Sequence, residues 1–166
     1  ANLAKFLQRI AQLDEVTREV VASIPPENRK LLTYHDSWPY WARKYGFEVI
    51  GAVQPSDFGE PSAQEVAALV DQIKAAEVPA IFGSEVFPST ISDQIAREAG
   101  VKLANTADDD LPGEGSASAT QNAQMEPVNP AHTYIGMMAD NLRIFADTLG
   151  GDASLVDEID VTNVVK

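Results

Sequence analysis

Four short apolar runs alternate with longer amphipathic stretches along this chain, and that alternation limits its possible folds more than any other feature. Residues 31–35, 47–53, 78–82 and 101–105 have the length and composition of buried strands. Between and after them, helical patterns run over about residues 39–45, 62–76, 89–99 and 131–149. Strands and helices alternating at these lengths require right-handed crossovers, and therefore a parallel sheet covered on both faces. The fold class expected is α/β. It has three αβα layers, a sheet of about four parallel strands, and a long amphipathic helix in front.

Local signals sharpen the boundaries. Leu3, Phe6, Leu7, Ile10, Leu13, Val16, Val20, Val21 and Ile24 recur at helical spacing, and Pro25-Pro26 stops that first helix. No capping residue precedes Leu3, so the helix is expected to continue from residues upstream. Ser37 is expected to N-cap the aromatic helix that follows the first strand, with Asp36 as a further capping candidate and Pro39 in the first turn. Gly46 ends that helix. Ser62 and Glu65 have the spacing of a capping box, and Gly100 is a natural residue just past a helix end. Because strands of a parallel sheet are covered on both faces, Leu31, Leu32, Val49, Ile50, Ile81, Phe82 and Leu103 are expected in the core. The last helix offers it a stripe of Tyr134, Met137, Met138, Leu142, Phe145 and Leu149.

Residues 108–130 are rich in Gly, Ser, Ala, Asn and Pro, and the segment 113–129 is expected to be a mobile flap. The tail 151–166 mixes apolar residues with acids and has no assignable structure from pattern alone. The expected organisation is residues 1–26 as a helix, 27–150 as an α/β unit, and 151–166 as that tail.

Composition excludes several functions. The 166 residues carry a formal net charge of −13, which disfavours a nucleic-acid partner, since a polyanionic backbone repels such a surface. Cysteine is absent, so disulfides and thiolate metal sites are both ruled out.

The residues able to carry chemistry gather at one edge of the expected sheet. His35 ends the first strand, and the carboxyl edge of an open parallel sheet is where ligands bind. Both Trp residues, Trp38 and Trp41, follow it closely. Asp108, Asp109 and Asp110 follow the fourth strand and leave the same edge. Taken alone, a run of three acids is a solvated turn. Glu85 follows the third strand, where it would act as a neighbour of the ligands or as a helix-terminus acid. His132, at the start of the last helix, reads as a surface residue of the first turn.

The stretch Thr33-Tyr34-His35-Asp36, followed by Tyr40-Trp41-Ala42-Arg43-Lys44-Tyr45-Gly46, resembles the C-terminal lobe of the zinc- and manganese-binding proteins that serve ABC importers. The stretch from Tyr134 through Met137, Met138, Asn141 and Leu142 is similar to that family's final helix. The resemblance runs from about Leu3 to Leu149. It implies that His35 is a direct metal ligand, and that Asp109 is a second, matching the family's Asp before a Leu near this point. Asp110 or Asp108 would take that role with a one-residue slip, and Glu85 would stand beside the ligands. It further implies Zn²⁺ or Mn²⁺ as transported ligand, and no enzymatic activity. The partners implied are an N-terminal lobe that this chain lacks and a membrane permease. The location implied is periplasmic, or extracellular on a lipid anchor, and the first helix would be part of the link between two lobes. Imidazole tilts the choice toward zinc, although His with Asp also serves manganese.

Three other readings stay open on the residues alone. A hydrolase could use His35 with Asp36 or Asp109, but no Gly-x-Ser-x-Gly elbow and no Cys accompany them. A nucleotide-binding flavodoxin-like domain would need a Gly-rich loop after the first strand. A receptor for iron chelates or corrinoids would share the rigid-helix plan without needing the Thr-x-His-Asp corner.

Overall fold

The computed structural model describes residues 2–54, 61–83, 90–104 and 133–161. In chain order they form α1 (Asn2–Ser23), a 3-10 turn (Pro26–Asn28), β1 (Lys30–His35), α2 (Pro39–Tyr45) and β2 (Glu48–Gln54). There follow α3 (Ala63–Ala75), β3 (Ala80–Phe82), α4 (Thr90–Ala99), β4 (Lys102–Ala104), α5 (Tyr134–Leu149) and a C-terminal 3-10 helix (Ala153–Glu158). The four strands form one sheet in the order β2-β1-β3-β4, and every pairing is parallel. No helix among the described residues is long and apolar enough to cross a membrane.

Alternation along β1 sends Leu31 and Leu32 to opposite sides of the sheet, and a separate core forms on each. Leu31, Ala80 and Phe82 pack with Trp38, Ala42, Phe47, Phe145 and Leu149, under α2, α5 and the end of α1. On the other face Leu32, Val53 and Ile81 meet Val66, Val70, Ile73, Ile95 and Ala96 of α3 and α4. Phe145, fully buried, stands at the centre of the first core. Its ring centroid lies 4.8 Å from Phe82 and 5.3 Å from each Trp, within the range of favourable edge-to-face and tilted contacts.

Position in the sheet decides where sequence expectations and structure part. Leu31, Leu32, Ile81 and Phe82 are fully buried. Val49, Ile50 and Leu103 are only half-buried, because among the described residues β2 and β4 are edge strands with one neighbour each. The register between β1 and β2 shifts after Leu31: Leu31 pairs with Val49 and Leu32 with Gly51. Ile50 is the extra residue of that bulge, and the Gln72 side chain of α3 donates to its carbonyl at 2.6 Å. Tyr134, expected in the core stripe of α5, is instead 48% exposed, while Ile135 and Met137 of the same first turn face the core.

Ser37 does not cap α2. The helix starts at Pro39 with Trp38 as its N-cap, in helical conformation and without a side-chain cap bond. Trp38 is buried against Trp41 and Phe145, which fixes the N-cap one residue past Ser37; neither Ser37 nor Asp36 supplies the cap. The Ser62–Glu65 capping box is present in full, and Thr33, Asn141 and Ser92 are polar residues buried in the core.

The described part of the C-terminal segment, residues 151–161, without pattern in the sequence, is packed and bonded. Val156 and Ile159 join Leu13, Val16 and Val20 of α1 and Ile135, Ala139, Leu142 and Ala146 of α5 in a third cluster. The Ser23 hydroxyl accepts from the Asp152 amide at 2.8 Å, and the Gln12 side chain donates to the Glu158 carbonyl at 2.7 Å. Arg9 pairs with Asp160 at 2.7 Å. Gly151 is required by close approach: a Cβ there would stand 2.6 Å from Ile24.

α1 is also tied to α2. The Asp14 carboxylate accepts from the Tyr45 hydroxyl and from Lys44, each at 2.6 Å, and from Arg18 at 3.2 Å. The Lys44 hydrogen bond, then that of Tyr45, holds its pKa at about 2, below the ordinary 3.8.

Truncating Phe145→Ala should cost about 3 to 5 kcal/mol in denaturant unfolding, since a ring buried among four others leaves a cavity. Asp14 generates an acid-limb signature. Its folded pKa lies below its unfolded one, so its contribution is complete above the unfolded value and disappears as pH falls through the folded one. With Asp14 31% exposed on its side chain, solvent screening reduces the gain to about 1 kcal/mol. Asp14→Asn should therefore lower stability by that amount at pH 7, with the difference vanishing as pH falls from about 4 toward 2.

Candidate functional site

The strand order creates one topological switch. From β1 the chain crosses by α2 to β2 on one side, then returns by α3 to β3 on the other side of β1. At such a point the two loops leaving adjacent strands diverge and open a crevice beyond the carboxyl ends. His35 is the last residue of β1, on one wall of that crevice, with Gly83 following β3 on the other. The strand ends are held in line: His35 pairs with Gln54 of β2, and the Gly83 amide donates to the Ala104 carbonyl of β4 at 2.8 Å.

His35 is half-buried, with Nε2 shielded from solvent. Its ring meets that of Tyr34 edge-on, with centroids 4.8 Å apart. The Thr33 hydroxyl donates to the His35 carbonyl at 2.7 Å. Asp36 and Ser37 are exposed. Behind this corner lies the ring cluster of Trp38, Trp41, Phe47, Phe82 and Phe145, a stiff floor for the loop that follows β1. Imidazole offers a borderline nitrogen donor suited to zinc and its neighbours in the transition series.

Glu85, Asp108, Asp109, Asp110 and His132 lie outside the described residues, as does the segment 113–129. Their connections do leave from this edge, after Gly83 and Ala104. Among the described residues no three His, Asp or Glu side chains converge as a metal cluster would require. Of the sequence-derived candidates, then, the structure describes His35 alone.

The helices add a directional feature. Asn28, just before β1, donates to the Leu149 carbonyl at 3.0 Å, so α5 ends at the amino edge of the sheet and begins at the crevice edge. α1 ends beside α5, with Ile24 against Gly151. It has 22 residues against 16 in α5, which makes it about 9 Å longer at 1.5 Å per residue. The large hydrophobic side chains exposed among the described residues are Leu3, Phe6 and Leu7 of α1, Tyr40 at the start of α2 and Tyr134 at the start of α5. All belong to helix ends on the crevice side. No periodicity in the sequence marks that gathering, since Leu3, Phe6 and Leu7 share the stripe that is buried further along α1.

The family described as zinc-uptake complex component A, periplasmic (ZnuA), matches residues 1–148. The chain belongs to this ZnuA family. The manganese-binding lipoprotein MntA of Halalkalibacterium halodurans is 27% identical over 90% of this chain and 46% of its own length. The zinc-binding protein TroA of Treponema pallidum is 30% identical over 82% of the chain and 42% of its own length. The solved structure of that periplasmic zinc-binding protein superposes with a TM-score of 0.72 at 27% identity, covering 88% of this chain and 50% of its own. A ZnuA crystal structure, at 23% identity and a TM-score of 0.63, shares the fold. The chain thus spans half or less of the length of these relatives. The C-terminal 3-10 helix lies beyond the residues matched to the ZnuA family.

Proposed function

We propose that this chain is the C-terminal lobe of a two-lobed receptor that captures Zn²⁺ or Mn²⁺ and delivers it to the permease of an ABC importer. The observation that carries the reading is His35 at the switch point of a ZnuA-family sheet. His35 is one ligand, and Asp109 a second from the loop after β4; Asp110, Asp108 and Glu85 are the neighbouring acids of the same edge. The remaining ligands come from a partner lobe. The exposed apolar side chains of Leu3, Phe6, Leu7, Tyr40 and Tyr134 at the ends of α1, α2 and α5 support this, because large apolar side chains gathered at one end of a fold mark a surface made to be covered.

In this reading α1 is part of a stiff interlobe link, and residues 27–150 are the lobe proper. The receptor performs no bond-making chemistry, and works in the periplasm or outside the cell on a lipid anchor. Imidazole favours zinc, while the hard carboxylates keep manganese within reach. Iron-chelate and corrinoid receptors have no call for a histidine at this corner, and a His/Asp hydrolase would find no Gly-x-Ser-x-Gly elbow and no Cys in the sequence.

Calorimetric titration tests the reading. The chain alone should bind Zn²⁺ weakly, since water must complete its coordination. Joined to its second lobe it should bind far more tightly. There His35→Ala and Asp109→Ala should each weaken affinity at least about 100-fold, about 2.7 kcal/mol, and His132→Ala should change little. A His35→Ala protein that titrates like the unmutated one contradicts the metal reading of this edge.

A further inference from the structure

Thr33 and His35 are two residues apart on one strand, a spacing that separates equivalent atoms of an extended chain by about 6.6 Å. Yet the Thr33 hydroxyl reaches the His35 carbonyl at 2.7 Å. That contact requires the backbone to curl back as it leaves His35, where Asp36 forms a bend, so the exit from β1 is held by a side chain two residues before the strand's end. The holding group is itself fixed. Thr33 is 1% exposed and pairs with Ala52 of β2 on one side and Phe82 of β3 on the other. Its β-branched side chain has little freedom at χ1.

We propose that Thr33 is a positioning residue for the site: its hydroxyl sets the curl of the backbone at His35 and thereby where the imidazole stands to meet a divalent cation. The inference rests on the metal reading of His35. A ligand held to within fractions of an ångström binds a cation without first being ordered, and the order here is supplied by a buried hydroxyl on a rigid strand. The consequence is specific to the oxygen. The methyl group of Thr33 contributes packing, while the hydroxyl contributes geometry.

The pair Thr33→Ser and Thr33→Ala isolates the hydroxyl, because both lose the methyl and only serine keeps the donor. Thr33→Val gives the reciprocal change at nearly constant shape. Zn²⁺ titration of the full chain, followed by imidazole NMR signals, reads the site directly. The chain has two histidines, and the signals missing from His35→Ala identify those of His35. Thr33→Ser should keep Zn²⁺ affinity within about twofold, whereas Thr33→Ala and Thr33→Val should each weaken it about five- to tenfold, the worth of one hydrogen bond. The His35 signals in metal-free protein should move in Ala and Val and stay in place in Ser. Equal losses in Ser and Ala would assign the effect to packing and overturn the proposal. So would unchanged affinity in Thr33→Val while His35→Ala abolishes the response. If His35 signals in the unmutated chain ignore Zn²⁺, the metal reading itself fails, and this inference with it.

Discussion

The interior position of β1 is the constraint on which the rest depends. Pairing with β2 on one side and β3 on the other buries Leu31 and Leu32 completely on opposite faces and commits the chain to reverse direction across this strand. The reversal opens the crevice, and the last residue of the strand that causes it is His35. Fold and site are thus consequences of one arrangement: any order that moved β1 to an edge would remove the switch point and expose one side of the strand. The aromatic cluster around Phe145 supports this centre from α5 and α2, anchoring Trp38 immediately beyond the His-Asp-Ser corner.

α1 is fastened to this centre from two directions. The Asp14 carboxylate gathers Tyr45 and Lys44 of α2, while the C-terminal 3-10 helix lies along α1 and α5 and bonds Gln12 and Ser23. Residues 9–23 of α1 are thereby fastened to the sheet and its helices, and Leu3, Phe6 and Leu7 stand exposed at its other end. In the two-lobed receptor proposed above, a helix clamped along most of its length would transmit orientation, since bending is confined to what lies beyond the clamp.

Much of this was legible in the sequence where the signal is local. Strand–helix alternation gives the parallel sheet, the Ser62–Glu65 spacing gives a capping box, and an apolar run ending at a histidine puts that residue at the ligand-binding edge. What depends on neighbours distant in sequence was not legible. Val49, Ile50 and Leu103 have the composition of core strands, but edge position leaves them half-buried. Ser37 is a better capping residue than Trp38 by type, yet burial of the indole sets the helix start. The Asp14–Tyr45 bond joins residues 31 apart, and Val156 and Ile159 found their places through α1, more than 130 residues earlier. The candidate site was legible through the resemblance more than through the residues, since one histidine and a run of acids specify no coordination by themselves. Of that site the structure describes His35 at the carboxyl end of β1.

Anomalous diffraction at the zinc edge from crystals of the Zn²⁺-loaded two-lobed protein tests the central claim most directly. A single strong peak is expected at the carboxyl edge between β1 and β3, about 2.0 to 2.1 Å from an imidazole nitrogen of His35, with a carboxylate from the residues following β4 on the same ion. A fully occupied peak elsewhere, with His35 outside coordination distance, would contradict it.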